Sequence, residues 1–245
     1  MPDTPQPAPK HTAKDPGSVV EFPGTPERGY MPENNLPLRL TDLVGRGREI
    51  EEVESLLSEH RLLTLMGPGG SGKTRLALAV ARGVLRDYED GTWLVELAPL
   101  SDPDLVAQAV ASVLGVREVP GRSLTEILAE HLLRRRTLLV LDNCEHLVEA
   151  CASLAEALLS RWPKLRGLAT SREALGVTGE ALFLVPPLSL PDPRRLPAAE
   201  ALLGYEAARL FLERTRAVRP GYELTEHNAV AIARICTAWT GCRWP

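Results

Sequence analysis

Eight residues leave this chain few architectures to choose from: Gly67-Pro68-Gly69-Gly70-Ser71-Gly72-Lys73-Thr74 is a complete G-x-x-x-x-G-K-[ST] signature. The run Arg61-Leu62-Leu63-Thr64-Leu65-Met66 before it has the composition of a buried strand. Residues 73–87 after it carry Leu76, Ala77, Val80, Ala81 and Val84 at helical spacing. A glycine-rich loop between a strand and a helix is the context in which this signature binds phosphate.

The chemistry follows from the residue types. Glycines let successive N–H groups face one concavity, and the positive end of the next helix adds to their pull. A polyphosphate can therefore shed water and keep its hydrogen bonds. On this reading Gly67, Gly69, Gly70, Ser71 and Gly72 cradle the phosphates and Lys73 neutralises the β- and γ-phosphates. The Thr74 hydroxyl ligates a bridging Mg²⁺, an ion that takes a few hard oxygens alongside those of its substrate.

Thr137-Leu138-Leu139-Val140-Leu141-Asp142-Asn143 is a run of large aliphatics ending in a carboxylate, the Walker B pattern. A continuous apolar run suits a parallel strand buried on both faces, whose carboxyl end is where ligands bind in an open α/β sheet. Asp142 is expected there to hold Mg²⁺ through water. The stretch Leu165-Arg166-Gly167-Leu168-Ala169-Thr170-Ser171-Arg172 reads as another strand with a cationic end. A planar guanidinium matches phosphate oxygens, so Arg172 is the candidate sensor of a γ-phosphate. Val44-Gly45-Arg46 makes a turn before an amphipathic helix that runs through roughly His60, ahead of the loop, where ATPases place a clip for the adenine ring.

Composition narrows the setting. A chain of 245 residues, 44% hydrophobic, is long enough for one large α/β domain and part of a second. Net charge is −4 and no basic cluster is interleaved with aromatics, so nothing marks a nucleic-acid surface. Arg134-Arg135-Arg136 falls at the end of an expected helix, where cations complement the dipole. Cys144, Cys151, Cys236 and Cys242 form no C-x-x-C pair and no zinc-spaced set with His. With no apolar signal core at the N-terminus, they point to a reducing cytoplasm. The apolar runs are far shorter than the ~20 residues of a membrane span, so no membrane partner is expected.

Residues 1–36 are crowded with Pro, Gly, Thr and charge and read as a disordered N-terminal segment. Strand and helix patterns alternate over residues 37–188, a nucleotide-binding domain in which Ser101-Asp102-Pro103 starts one helix and Ser123-Leu124-Thr125-Glu126 starts another as a capping box. Residues 189–203 are a Pro-rich hinge, and 204–238 carry two amphipathic helices that begin a small helical domain. The fold expected is an α/β three-layer sandwich with a mostly parallel five-stranded sheet.

With these motifs in view, residues 34–238 resemble the nucleotide-binding module of STAND-class P-loop ATPases. They are most similar to the NB-ARC-like module of bacterial LuxR-type and related large transcriptional regulators. The likeness rests on Val44-Gly45-Arg46, the 67–74 loop, Leu97-Ala98-Pro99-Leu100-Ser101-Asp102-Pro103, Leu141-Asp142-Asn143-Cys144-Glu145-His146-Leu147, and Ala169-Thr170-Ser171-Arg172-Glu173. It implies an ATP/ADP switch in which an adenine nucleotide sits between the α/β core and the helical segment. It also implies slow Mg²⁺-dependent hydrolysis served by Lys73, Asp142 and Arg172, and self-association in the ATP state. Asn143 follows Asp142 where fast ATPases often carry Glu, in keeping with a timer.

The end of the chain departs from the family. Relatives usually continue Leu-Asp-Gly-Leu-Pro-Leu-Ala, whereas this chain reads Trp239-Thr240-Gly241-Cys242-Arg243-Trp244-Pro245. A one-base shift of frame converts one into the other. Residues 239–245 are therefore expected to be an out-of-frame tail, after a deletion near the codons for Thr237 and Ala238. On that expectation the downstream DNA-binding domains are missing and this chain does not bind DNA directly. Two further readings stand beside the switch module: a non-functional truncated remnant of such a regulator, and a free-standing P-loop phosphotransferase or NTPase, which would want an acceptor site and a base near the loop. The chain has neither the Asn-Lys-x-Asp motif of a GTPase nor the Leu-Ser-Gly-Gly-Gln signature of a transporter ATPase.

Overall fold

A computed structural model describes residues 32–38, 43–192 and 198–238. Strands β1 (Leu62–Met66), β2 (Thr92–Glu96), β3 (Leu138–Asp142), β4 (Arg166–Ser171) and β5 (Glu180–Leu184) form one sheet in the order β2-β3-β4-β1-β5. Every pairing is parallel. All carboxyl ends therefore lie along one edge, and the loop leaving β1 has the end of β4 on one side and the end of β5 on the other.

Strand period explains the layers. Leu138, Val140, Leu63, Leu65 and Phe183 pack on one face with α1 (Gly47–Glu59) and α2 (Lys73–Gly83). On the opposite face Leu139, Leu141, Leu62 and Ala169 pack with α3 (Leu105–Val113), α4 (Leu124–Leu132) and α5 (Val148–Leu159). Because both faces are covered, β3 is buried along its whole length, which is why its sequence does not alternate. The result is the three-layer sandwich expected from the sequence.

Several details differ from the sequence reading. Helix α2 stops at Gly83, with a 3-10 turn at Leu85–Asp87, and a second 3-10 turn, Cys144–His146, precedes α5. Ser123 caps α4 without a side-chain hydrogen bond, so the expected capping box is not formed. The hinge segment contains a short helix, α6 (Ala199–Leu202). It buries Leu202 in a third apolar cluster with α7 (Glu206–Val218) and α8 (Glu226–Ala238).

The end of the segment read as disordered is ordered. The Asn35 side chain donates to Leu94 O at 2.8 Å and accepts from Leu94 N at 2.7 Å, while Thr92 N donates to Glu33 O at 3.0 Å. These bonds satisfy backbone groups on the outer edge of β2 that would otherwise face solvent. Residues 1–31 and the 239–245 tail lie outside the described residues.

Candidate functional site

The site is built where β1 hands over to α2. Gly72 caps α2 at φ 90°, a conformation that costs glycine little and an L side chain much. Lys73, the first residue of α2, is buried, with Nζ 2.8 Å from Gly67 O and 3.2 Å from Pro68 O. Its ammonium therefore sits inside the curl of the loop. Burial holds the Lys73 pKa below its ordinary value, with Arg172 adding to the fall, while the carboxylates of Glu145 and Asp142 oppose it. The Ser71 hydroxyl is buried with no hydrogen-bond partner among the described residues. Such an orphaned donor fits a phosphate oxygen.

Beside the loop, at the end of β3, Asp142 Oδ1 accepts the Thr74 hydroxyl at 2.7 Å and the Thr170 hydroxyl at 2.6 Å. Thr170 in turn accepts the Asn143 N–H at 2.9 Å. A hydroxyl and a carboxylate oxygen in contact at a phosphate loop are the hard-oxygen pair that Mg²⁺ takes from a protein, leaving its other positions to phosphate and water. The residues fit that ion. Among the described residues no group of three or more His, Cys, Asp or Glu could hold another metal.

Arg172 follows the last residue of β4, and its Nε is 3.1 Å from Glu145 Oε1. The same guanidinium lies over Gly69, where an added Cβ would be 3.6 Å from Nη2. An ion pair thus bridges the ends of β3 and β4 above the loop.

Val44 and Gly45 lead into Arg46, which is buried in the left-handed conformation at φ 69°. Its Nη1 is 2.8 Å from Glu49 Oε1. Its Nη2 donates to Pro186 O at 2.7 Å and makes a long 3.5 Å contact with Ser71 O. From α7, Glu206 accepts the Arg46 N–H at 3.3 Å and the Ser189 N–H at 3.0 Å, and its own N–H donates to Ser189 Oγ at 2.9 Å. Burial pushes the Glu206 carboxyl up, but the bonds from Ser189 and Arg46 outweigh it and hold the group below its ordinary value.

The structure brings Lys73, Thr74, Asp142 and Arg172 to one edge, with Arg46 reaching the loop from the other side. Sequence reading missed Thr170, Glu145 and Glu206. Thr170 lies two residues before Arg172, so strand period could have drawn it to the same side. Glu145 lies in a 3-10 turn, which no sequence periodicity reports. Glu206 had no local signal, because its contact with Arg46 spans 160 positions.

A family model described as an AAA domain matches residues 56–178. This chain belongs to the AAA domain family. An HTH-type transcriptional regulator, so named, of Mycobacterium tuberculosis is 41% identical over 189 residues, 77% of this chain and 20% of that protein. An uncharacterized protein of the same organism is 39% identical over 202 residues, 82% of this chain and 48% of that protein. This AAA domain chain thus spans from about a fifth to about half of the curated relatives it matches. Its fold is similar to that of a STAND protein with a tetratricopeptide repeat sensor from Pyrococcus horikoshii, with TM-score 0.52 and 16% identity over 85% of this chain and 30% of that one. It is equally similar to Cdc6p from Pyrobaculum aerophilum, with TM-score 0.52 and 17% identity over 86% of this chain and 58% of that one. No helix among the described residues of this AAA domain chain is long and apolar enough to cross a membrane.

Proposed function

We propose that this AAA domain is the ATP/ADP-binding switch module of a bacterial signal-transducing transcriptional regulator, acting in the cytoplasm with slow Mg²⁺-dependent hydrolysis of ATP. Lys73 neutralises the phosphates, Thr74 and Asp142 hold Mg²⁺, Arg172 senses the γ-phosphate, and the Val44-Gly45-Arg46 turn clips the adenine. Mg²⁺ held by Thr74 and Asp142 would offset the charge that develops on the transferring phosphate.

One observation carries the switch reading: Glu206 of the helical segment bonds the backbone of Arg46, and the Arg46 guanidinium reaches Ser71 of the phosphate loop. Through that chain of contacts a change at the phosphates is felt by α7, and self-association in the ATP state is the output we assign to it. The mycobacterial relative named as a transcriptional regulator supports the setting.

The test is calorimetric binding of ATP, ADP and GTP with Mg²⁺ to the chain and to Lys73→Ala, with phosphate release followed in the same samples. Adenine-selective binding that weakens by about 1.5–3 kcal/mol in the variant, the range for hydrogen bonds to charged groups, is the expected result. Equal affinity for GTP, or an unchanged Lys73→Ala, overturns the reading.

A further inference from the structure

Hydrolysis needs a group that orients water against the γ-phosphate and takes its proton, and the residue after the Walker B carboxylate does not serve. Asn143 carries an amide, which is not a general base at neutral pH. Its backbone is fixed in the left-handed region, at φ 65° and ψ 53°, with its N–H on Thr170. The 3-10 turn that follows sorts the next three side chains. The Cys144 Sγ lies 3.5 Å from Leu141 O in the core, and the His146 Nε2 lies against Leu97 O and Leu100 O at 3.1 and 2.9 Å. Glu145 is the residue between them, and it meets the guanidinium that overlies Gly69 of the phosphate loop.

We propose that Glu145 is the carboxylate that activates water in this site, displaced by three positions from the end of β3 and held there by Arg172. The inference rests on the reading of the site as a slow ATPase. Two observations converge on it. Glu145 Oε1 is bound by Arg172 Nε at 3.1 Å, which aims the carboxylate along the sensor arginine. Its other oxygen, Oε2, is buried with no partner among the described residues, an acceptor free for a water proton.

The step balances without a further reactant. A water oxygen bonds to the γ-phosphorus while the bond from that phosphorus to the β,γ-bridging oxygen breaks, its electron pair leaving on ADP. The water proton passes to Glu145 Oε2 and from there to solvent, returning the carboxylate to its starting state. Arg172 has two calls on its guanidinium, Glu145 and the γ-phosphate. An arginine held by Glu145 is not wholly available to the γ-phosphate, which accounts for slow turnover despite the presence of a base.

The experiment uses the full chain with Mg²⁺-ATP. Nucleotide affinity is measured by calorimetry and phosphate release under single-turnover conditions for wild type, Glu145→Gln and Glu145→Ala, the last with and without added formate. The expected result is affinity within about twofold of wild type and hydrolysis reduced at least about 100-fold in both variants. Formate is expected to restore part of the rate in Glu145→Ala with no change in affinity, which a purely structural role would not produce. Wild-type hydrolysis in Glu145→Gln overturns the inference. So does loss of affinity that parallels the loss of rate without formate rescue, since Glu145 then only holds Arg172. Binding of ATP by wild type with no hydrolysis overturns the inference and leaves the nucleotide-switch reading standing. Failure of wild type to bind any nucleotide overturns both.

Discussion

Thr170 Oγ1 stands 2.6 Å from Asp142 Oδ1, the same oxygen that accepts the Thr74 hydroxyl at 2.7 Å. Thr170 is fully buried and also accepts the Asn143 N–H, so one hydroxyl fixes both the Walker B carboxylate and the turn behind it. Thr170→Val keeps the shape and removes both bonds. The expected loss is about 1.5–3 kcal/mol in urea unfolding, with a weaker Mg²⁺ dependence of nucleotide binding as Asp142 loses its brace. Wild-type stability in this variant would rule out the hydroxyl as the brace.

On the proposed reading, Arg172 is the cation that tells ATP from ADP. Removing its side chain in Arg172→Ala takes away charge-assisted bonds that only a γ-phosphate can accept. ATP affinity should fall by about 10- to 150-fold, the equivalent of about 1.5–3 kcal/mol, and ADP affinity should change less than about twofold. Calorimetry with both nucleotides checks this, and an equal fall for the two would remove Arg172 from the sensing role.

The layers and motifs of this fold were legible because their signals are local. Four aliphatics before Asp142 announce a strand covered on both faces, and the spacing of Leu76, Ala77 and Val80 places one face of α2 in the core. What was not legible depends on backbone geometry or on distance along the chain. Asn143 in the left-handed region turns the chain into a 3-10 segment, and no periodicity reports that. The docking of Asn35 on Leu94 is made by one amide side chain inside a stretch whose composition reads as disordered. The contact of Glu206 with the Val-Gly-Arg turn joins elements far apart in sequence, and it takes up the space beside Gly45 that a side chain there would need.

Glu206 offers a test of that contact which does not depend on nucleotide. Its carboxyl is held below its ordinary value, so its contribution is present above the unfolded-state value and is lost as pH falls through the folded-state value. Protection of the Arg46 and Ser189 amides, taken as the intrinsic rate at each pH divided by the observed one, should fall on acidification in wild type, and should already be low at neutral pH in Glu206→Ala. Exchange within β1 and α2 should be the same in both proteins. Protection at Arg46 that survives the substitution would mean that the turn is held by Pro186 and Glu49 alone.

Tyr88, buried among the residues packed on the α1 and α2 face, sets an alkaline limit on stability. Burial, the main cause, pushes its phenol up to about 12 from 10.0, with Asp87 adding to the rise and Arg166 and Arg136 opposing it. A folded-state value above the unfolded one means that the folded chain keeps a proton the unfolded chain gives up. The stabilisation is therefore complete below the unfolded value and is lost as pH rises through the folded one. Between about pH 9 and about pH 11.5, wild type should lose about 2 kcal/mol more than Tyr88→Phe in urea unfolding, because phenylalanine has no proton to lose. Parallel pH profiles for the two proteins would mean that the phenol ionises alike in the folded and unfolded chains.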